Sequence, residues 1–509
     1  KKKKNKGIDT SRGNFGTKFA ARTSTGPRII AYGECRVGGT ISHISCSGTD
    51  NNILNMVVVI AGHEIEELVN VRIHDTVVTK DGGQNIGGAT VFTATNSKFL
   101  NSDNDNAFQR STGQSDGLFR FSFTDGGHTA ANGFGVNQIP SFGSNSKGLG
   151  CAYVCMQFVY DAEAFGGGFP NVSFDIKGKK LYDPRDSNHT FGDESTYEYS
   201  DNPALIVLDY ITNTQYGLKA LEEECNLTTG AGGFKSAANT CDQTVTINAL
   251  GHTEKRYTAN GFVDMSASGT GVLESVLSSC IGDLTYASGQ FNLFVGAAQT
   301  PSMTINDDNL IGPPTIQTST PDRQLFNSVK SVFVDKNNKF TATDAPILEN
   351  ASFLSADTPT GESSANFKKL LEVQLPFTTS QHTAQRIQKA TLNLSRNVQT
   401  FSALVNIEYM RLQPNDWVYV TNSRVGYDAK VFKVASTSLE PYNGGGEGEA
   451  VSLVTKLNLV EASAASFDYV FNEYSTPIDD DTGGDDGDNS ISPPTGLTLT
   501  QQGVIEGTS

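Results

Sequence analysis

Short runs in which apolar and polar residues alternate constrain the fold of this chain more than any other feature. Val69, Val71 and Ile73 alternate with polar neighbours, and residues 451–459 alternate in the same way. A period of two is typical of a strand with one buried face. The longest apolar run, 56–62, suits a buried strand and is shorter than the ~18 residues of a membrane-spanning helix. The pattern therefore predicts many strands.

The composition agrees with a mainly β protein built from several domains. The chain has 509 residues, too many for one hydrophobic core, and a guide of roughly 150 residues per domain gives about three or four domains. Gly contributes 51 residues, and Ser, Thr, Asn and Val are abundant. These residue types favour strands and turns over helix bundles. We therefore expect a mainly β fold with minor α content.

One predicted helix covers residues 203–216. Asp201 or Asn202 can cap its N-terminus, and Pro203 suits the first turn, where the missing amide hydrogen is not needed. Apolar side chains recur along this stretch at helical spacing, and Gly217 is the predicted end.

A helix followed by a hairpin is predicted at 270–296. Apolar residues between 272 and 281 recur at intervals of three and four, with Thr270 as the predicted N-cap and Gly282 as the predicted end. Ser288 and Gly289 separate two apolar runs, which is a hairpin pattern because Gly accepts the positive φ of a tight turn. No cluster of polar residues in this unit indicates a catalytic or binding site, so we interpret the unit as part of the scaffold.

Charge limits the possible partners. The formal net charge is −17 at pH 7, which argues against wrapping nucleic acid, since that needs a Lys/Arg footprint. The one basic run is Lys1 to Lys4 with Lys6. It can be a solvated tail or a contact with a negatively charged neighbouring subunit. Because no Met precedes it, we expect the chain to begin inside a longer or trimmed polypeptide.

The cysteines are interpreted as buried thiols. There are seven, an odd number, and none forms a Cys-x-x-Cys motif. Cys151 and Cys155 lie in an apolar run, which fits burial better than a disulfide framework or a zinc site. Reduced thiols point to assembly in a cytoplasm.

Candidate metal and calcium sites are incomplete. The segment from His63 to Glu67 lacks the second histidine of the HExxH zinc motif, because Glu67 stands in its place. We interpret it as a polar cluster at the end of a strand. Asp103, Asp105 and the acidic stretch 479–488 are rich in oxygen atoms but do not complete a calcium-binding loop.

Catalytic motifs are also missing from the sequence. The Gly-rich stretches 166–168 and 444–446 lack a phosphate-binding pattern, and no G-x-S-x-G motif occurs. Trp417, the one tryptophan, is interpreted as a core residue or the start of a strand. We therefore predict no catalytic residue, no cofactor-binding residue, no metal ligand and no cofactor. The two carboxylates of a glycosidase cannot be located without a fold, so that possibility stays open.

Several segments share recognisable patterns in a fixed order. The first has a Pro-Arg-x-x-x-Tyr-Gly-x-x-Arg-Val-x-Gly pattern followed by a Leu…Ala-x-His-Glu pattern, and the second reads Asn-x-Ala-x-x-x-x-Asp-x-x-x-x-x-x-Tyr-Gly. The residues that carry these and the later patterns are Pro27, Arg28, Tyr32, Gly33, Arg36, Val37, Gly39, Leu54, Ala61, His63, Glu64, Asn202, Ala204, Asp209, Tyr216, Gly217, Tyr257, Asn260, Val272, Leu273, Gly289, Leu293, Asn327, Val329 and Phe333. Together they resemble the tail tip attachment protein J family of long-tailed bacteriophages. The resemblance covers roughly 27–75 and 200–500, and the region 80–150 departs from it.

The resemblance implies a structural virion protein and not an enzyme. It implies a homotrimeric tail tip or baseplate hub that closes the distal tail tube, links it to host-receptor-binding regions and opens for genome ejection. The implied partners are other copies of the chain, distal tail and tail-tube ring proteins, the tape-measure protein, a host receptor bound through a C-terminal region, and DNA in passage. The implied location is the phage tail tip, after assembly in the cytoplasm of the host bacterium.

Two other functions remain possible at this stage. One is a virion-borne or extracellular carbohydrate-active β-protein, either a glycan hydrolase or a binding module. A single Trp is a poor basis for stacking on sugars. The other is a bacterial surface adhesin, which the odd number of cysteines disfavours.

The domain organisation follows from these patterns. We predict small β-barrel or sandwich hub domains joined to short helices. The predicted order is an extended basic arm at 1–26, a first β hub domain at 27–185 with a Gly/Asn-rich insertion at about 80–150, an α+β domain at 186–300, one or more hub β-barrel domains at 301–475 with a helix near 380–394, an acidic linker at 476–492, and the start of a fibronectin type III-like domain at 493–509, with more protein expected after it.

Overall fold

A computed structural model describes most of the chain. The described residues are 21–22, 26–100, 107–110, 116–165, 168–247, 251–319, 325–442 and 452–469. The basic arm at 1–20, Asp103 and Asp105, most of the Gly-rich stretches, the acidic linker and the fibronectin-like segment lie outside them. The prediction of a mainly β protein with minor α content is confirmed.

Fourteen strands precede residue 200 among the described residues. They are β1 (Ala21–Arg22), β2 (Ile29–Tyr32), β3 (Glu34–Val37), β4 (Thr40–Ser47), β5 (Ile53–Ala61), β6 (Glu67–Ile73), β7 (Thr76–Val77), β8 (Gln84–Ile86), β9 (Ala89–Thr93), β10 (Phe119–Thr124), β11 (Ala152–Val159), β12 (Val172–Lys177), β13 (Lys180–Leu181) and β14 (Glu198–Tyr199).

The described strands that follow residue 200 include a long hairpin formed by the last two of them. They are β15 (Thr244–Thr246), β16 (Thr253–Lys255), β17 (Gly261–Asp264), β18 (Asp283–Ala287), β19 (Gln290–Phe294), β20 (Met303–Ile305), β21 (Thr315–Gln317), β22 (Ser328–Asp335), β23 (Thr341–Asp344), β24 (Leu348–Glu349), β25 (Leu370–Leu375), β26 (Thr400–Val405), β27 (Trp417–Asn422), β28 (Tyr427–Tyr442) and β29 (Ser452–Glu461).

The described helices are short. The α-helices are α1 (Gly133–Gln138), α2 (Ala162–Phe165), α3 (Pro203–Thr212), α4 (Phe234–Cys241), α5 (Gly269–Ser278), α6 (Ala351–Asp357) and α7 (Gln381–Leu394). None of them has the length and apolar character that crossing a membrane requires.

Two sheets enclose the first core. A seven-stranded sheet has the order β1-β4-β5-β11-β10-β9-β8, and a four-stranded sheet has the order β3-β12-β6-β7. Met56 and Val154 contribute to the core that draws on both sheets, whereas Val57 and Cys155 belong to a second cluster with Phe134 of α1. The central strands β5 and β11 are therefore covered on both faces, which explains their continuous apolar sequences.

A helical layer follows, and it is tied to the first sheets. Strand β17 pairs antiparallel with β2, with Gly261 opposite Tyr32. Side chains of β2 and β17 share one apolar cluster with α3, α4 and α5. Helix α3 is buried almost all round, which is why its sequence is nearly continuous in apolar residues rather than amphipathic.

The predicted helix at 203–216 is shorter in the structure. The Asn202 side chain caps α3 by accepting the Ala204 N–H at 3.0 Å. The helix ends at Thr212 because Asn213 has extended dihedrals, and its side chain then accepts the N–H groups of Gln215 and Tyr216. Residues 213–217 form this turn instead of a fourth helical turn.

The helix-hairpin unit is present with different helix ends. Ser268, not Thr270, is the N-cap of α5, since its hydroxyl accepts the Gly271 N–H at 3.2 Å. The left-handed residue after the helix is Ile281, with φ of 51°, rather than Gly282. The predicted hairpin is confirmed as β18 paired with β19, and Ser288 and Gly289 both have positive φ, as a type I′ turn requires.

The C-terminal part contains two further sheets. Strand β22 pairs with β23, β24 and β25, and α7 packs on it; the helix predicted near 380–394 is thus confirmed. The last sheet has the order β20-β27-β28-β29-β26-β21. The predicted barrel is wrong for the described residues, because the three-residue edge strands β20 and β21 do not pair and the sheet stays open. Trp417 is buried at the first position of β27.

Candidate functional site

A cluster of largely buried polar side chains surrounds the carboxylate of Asp209. Its Oδ2 accepts hydrogen bonds from the hydroxyls of Tyr32 and Tyr216, both at 2.7 Å, and its Oδ1 accepts one from Lys179 Nζ at 2.8 Å. Lys179 also donates to the Tyr216 hydroxyl at 2.9 Å. We call these four side chains the Asp209 network. Tyr32, Asp209 and Tyr216 are residues that carried the family resemblance.

Local backbone geometry brings the members of this network together. Asp209 lies on α3, and the turn after α3 folds Tyr216 back beside it. This turn needs Gly217, because a Cβ there would lie 1.9 Å from the Tyr210 carbonyl oxygen. Tyr32 ends β2, and Lys179 precedes β13. The network thus joins three segments that are far apart in sequence.

The electrostatics of the network keep its groups in fixed protonation states. Burial, followed by the negative charge of Asp209, raises the pKa of Tyr32 and the pKa of Tyr216 above their ordinary values. Burial alone would lower the pKa of Lys179, but the charge and hydrogen bond of Asp209 outweigh burial and raise it. Near neutral pH the tyrosines are therefore neutral and the lysine is charged. Such a set stabilises the fold but offers no group poised to exchange a proton.

His63 is a structural residue and does not fit a metal ligand. Its Nε2 accepts the Ala31 N–H at 2.9 Å, and its Nδ1 lies 2.6 Å from the Glu64 carbonyl oxygen, to which an Nδ1–H donates. Burial lowers the pKa of His63 to about 4. Both ring nitrogens are therefore engaged by backbone. Glu67 begins β6 and pairs with Lys177 at 2.7 Å, so the predicted polar cluster next to a strand is found here.

Asn260 makes a second junction, which connects the start of β3 to the segment before α7. Its Oδ1 accepts the Glu34 N–H at 2.8 Å, and its Nδ2 donates to Thr379 Oγ1 at 3.1 Å. Gly33 has φ of +61°, and a Cβ there would lie 2.4 Å from Asn260 Oδ1. The Tyr-Gly pair at 32–33 thus has two explanations. The Tyr32 hydroxyl donates to Asp209, and Gly33 leaves room for the side chain of Asn260.

Other residues of the resemblance lie apart from this site. Arg36 donates to Ser173 Oγ at 2.9 Å and forms an ion pair with Asp75. Asn327 is fully buried, donates to Asp357 at 2.9 Å and accepts the Lys369 N–H at 2.8 Å. These contacts are also structural, so the shared patterns mark packing positions rather than one reactive centre.

Among the described residues, the structure brings together a cluster of metal-binding residue types that the sequence patterns did not indicate. Atoms of Asp186, His189 and Glu198 lie within 4.8 Å of one another. However, His189 Nδ1 accepts the Asp183 N–H at 2.9 Å, so the neutral ring carries its proton on Nε2. That nitrogen faces Asp186 at 4.0 Å and cannot bind a metal while protonated. The arrangement therefore does not fit a metal centre.

A cleft of about 690 Å³ lies between α5, the β18–β19 hairpin, α7 and the last sheet. Leu277, Ile281, Ile387 and Trp417 form apolar parts of its wall. Trp417 is 4% exposed, so its ring face is not available for stacking on a sugar. Trp417 therefore does not supply the aromatic platform of a carbohydrate-binding site in this cleft.

Comparison with known proteins agrees with a structural role. Residues 268–437 match the sequence profile of a family described as "Putative phage tail protein". The chain is 23% identical over 188 residues to the tip attachment protein J of Escherichia phage SECphi27, and 24% identical over 302 residues to the baseplate hub protein pb3 of Escherichia phage T5. The chain is related to phage tail proteins. These matches cover 36% and 57% of the chain, but only 16% and 30% of the two relatives.

One solved structure contains a chain whose fold is similar to that of this protein. A chain in the virion of a native gene transfer agent particle aligns with a TM-score of 0.54 at 11% identity, over 89% of each chain. At this identity the likeness concerns the fold. The resemblance to phage tail tip proteins is confirmed by the two relatives and the profile match rather than by this structure.

Lys179 is the member of the network that sequence reasoning missed. It follows a strand and precedes Lys180, which is partly exposed and pairs with Glu64 at 3.1 Å. Nothing in the local sequence distinguishes the buried lysine from its neighbour. The partner that distinguishes it, Asp209, is 30 residues away along the chain.

Proposed function

We propose that this chain is a hub subunit of a bacteriophage tail tip. In this role three copies close the distal end of the tail tube, link it to host-receptor-binding regions and open for genome ejection. The observation that carries the proposal is that three residues of the resemblance, Tyr32, Asp209 and Tyr216, meet in one network of paired polar groups. Such contacts suit a protein that transmits force, since they hold segments rigidly and leave no reactive group exposed.

The surface offers ways to contact neighbouring copies. Strands β8 and β7 are edges of the first two sheets, and β20 and β21 are edges of the last sheet. Unpaired edges and flat sheet faces can be covered by a symmetric assembly. Leu439 and Leu453, on the long β28–β29 hairpin, are 43% and 52% exposed, and apolar residues at the surface favour contact with another protein.

The partners proposed for this hub follow from its position in the tail. They are other copies of the chain, the distal tail and tail-tube ring proteins, and the tape-measure protein. Host-receptor contact is assigned to a C-terminal region, as the resemblance implies. The net charge of −17 favours passage of DNA without binding, because like charges repel.

The experiment that tests this proposal is the solution mass by light scattering over a dilution series at low and high salt. A hub subunit is expected to show a stable mass of three times 54.4 kDa. The double variant Leu439→Glu, Leu453→Glu tests whether the hairpin takes part, and Tyr160→Glu, at a residue that is 74% exposed elsewhere on the surface, is the matched control.

A monomer at every concentration would contradict self-assembly of this chain. An assay for polysaccharide cleavage then addresses the carbohydrate-active alternative, with the release of reducing ends as the readout. Cleavage would overturn the prediction that the protein is not an enzyme.

A further inference from the structure

The β28–β29 hairpin extends beyond the sheet to which it belongs. Strand β27 pairs with β28 as far as Lys433, and β26 pairs with β29 between Thr455 and Val460. Past these points, among the described strands, β28 and β29 pair only with each other, up to Tyr442 and Ser452. A two-stranded ribbon alone is marginally stable in water, so contact with another protein surface would stabilise this one.

One face of this ribbon continues the hydrophobic core of the last sheet. Leu457 and Leu459 are buried in that core, and alternation along β29 puts Leu453 on the same face. Leu439 lies on this face as well, because it is paired with Thr455. An apolar face suited to burial thus continues past the end of the core into solvent.

We define the hairpin patch as Leu439, Pro441, Leu453 and Ile407. Pro441 is paired with Leu453, and the Ile407 carbonyl accepts the Thr455 hydroxyl at 3.5 Å, which places Ile407 beside the ribbon. Leu439, Leu453 and Ile407 are 43%, 52% and 54% exposed. Apolar residues grouped in this way at the surface indicate contact with another protein.

The cleft of about 690 Å³ between α5, the β18–β19 hairpin, α7 and the last sheet has a matching apolar character. Apolar side chains from all of these parts form its wall, namely Leu277, Ile281, Leu284, Ile387 and Phe467. Concave apolar pockets of this kind receive the buried anchor side chains of a binding partner. The cleft can therefore receive the leucines of the hairpin patch.

One copy cannot insert its own hairpin patch into its own cleft. The cleft reaches the last sheet at Lys433 and Glu461. At about 3.3 Å per residue, Leu439 lies about 20 Å along β28 from Lys433, and Leu453 lies about 26 Å along β29 from Glu461. Phe432 belongs to the core of the sheet, so Lys433 lies on the opposite face. The patch and the cleft therefore occupy opposite ends and opposite faces of the same two strands.

We propose that the hairpin patch of one copy of this chain inserts into the cleft of the next copy. The inference rests on the hub function proposed above and adds the two surfaces that join the copies. Because the two surfaces differ, the contact is head-to-tail, and such contacts close into a ring when the rotation between copies returns to the first copy. Each of the three copies then supplies one patch and one cleft.

Removal of apolar side chains from water is the driving force of this contact. Salt screens exposed charge pairs but does not weaken the burial of apolar side chains. The association is therefore expected to persist at high salt.

The first test is the solution mass of two variants, measured separately and mixed. Leu439→Glu with Leu453→Glu removes the patch, and Ser278→Arg places a large charged side chain from α5 in the cleft. Each variant alone is expected to be a monomer. An equimolar mixture at high concentration is expected to reach twice 54.4 kDa, because the intact patch of one variant meets the intact cleft of the other and neither copy can extend further. Ser355→Arg, at an exposed position of α6, is the control and is expected to keep the mass of the wild type.

The second test uses surface cysteines, which do not depend on how well the charged variants fold. Cys46 is the exposed cysteine among the described residues, which corrects the expectation that all the thiols are buried, so Cys46→Ser is the background. Leu453→Cys is mixed with Glu274→Cys, at an exposed residue of the cleft, and a short bismaleimide crosslinker is added. A linked pair of chains is expected from this mixture and from neither variant alone. Leu453→Cys mixed with Tyr160→Cys is the control.

The outcomes separate this inference from the hub function. A wild-type trimer that remains a trimer with Ser278→Arg would overturn the inference and leave the hub function standing. Crosslinking of Leu453→Cys to itself would also overturn it, since this result indicates contact between two hairpins. A wild-type monomer at every concentration, with no crosslink in the mixture, would overturn both proposals.

Discussion

At the scale of single residues, the Asp209 network shows why the recognisable positions of this sequence are structural. Asp209 receives three hydrogen bonds from groups that burial has removed from water. A buried carboxylate without such partners would be strongly destabilising. The same residues in an active site would leave at least one group free to act on a substrate, whereas here each one is occupied by another.

The substitution Asp209→Asn is expected to lower the stability by about 3 kcal/mol or more, because it leaves the Lys179 charge buried without its main counter-ion. Glu194, 3.5 Å from Lys179, is 71% exposed and compensates weakly. Tyr216→Phe, which removes one hydroxyl, is expected to cost about 1–2 kcal/mol. The midpoint of urea unfolding measures these effects. Glu223→Gln, at an exposed carboxylate, is the control, and an equal loss there would contradict the argument.

A second prediction at this scale concerns pH and His63. Its pKa is lowered to about 4 in the folded protein, against about 6.5 in an unfolded chain. Between these values the unfolded state binds more protons, so the contribution of His63 is complete above pH 6.5 and is lost as the pH falls towards 4. The difference in unfolding temperature between wild type and His63→Gln is expected to shrink over this range. A difference that is constant from pH 7 to 4.5 would show that the ring does not stay neutral.

At the scale of elements, the helix-hairpin unit shows two different limits. The sequence pattern determines which elements form, whereas the three-dimensional path of the chain determines where the helix begins. Apolar spacing correctly indicates the helix, and Ser288-Gly289 correctly indicates the turn. The predicted cap, Thr270, lies two residues after the observed cap, Ser268, because both are good capping residues. Only the three-dimensional path of the chain, with Ser268 Oγ on the Gly271 N–H, selects between them.

The two capping candidates differ in their expected effects. Ser268→Ala is expected to cost about 1 kcal/mol, because an N-terminal amide of α5 loses its acceptor. Thr270→Ala lies inside the helix and is expected to be neutral or slightly stabilising, since Ala has the higher helix propensity. Thermal unfolding of the two variants, measured under the same conditions, shows which of the two residues caps the helix. The reverse order would place the helix start where the sequence alone suggested.

At the scale of the whole molecule, strands could be predicted from local patterns, and the contacts between distant segments could not. Alternation of Leu457 and Leu459 with polar residues marks β29 correctly, but Leu453 continues the pattern and is exposed, because the hairpin extends past the sheet. Closure of a barrel depends on how far the edge strands curve towards each other. The sequence of a three-residue strand such as β20 does not show this curvature. Pairing between distant segments, as for Lys179 and Asp209, leaves no local pattern.

The last prediction concerns the boundary proposed at residue 185. Strand β2 pairs with β17, and Ile30 and Tyr32 belong to the same cluster as α3. A fragment comprising residues 27–185 would expose these side chains and leave the edge of β2 unpaired, and Tyr32 would lose its Asp209 partner. We expect this fragment to lack a cooperative thermal transition, whereas the full chain shows one. Circular dichroism and calorimetry of both proteins provide the measurement. A fragment that unfolds sharply near the temperature of the full chain would establish residues 27–185 as an independent domain, with β17 as a docked strand rather than part of its fold.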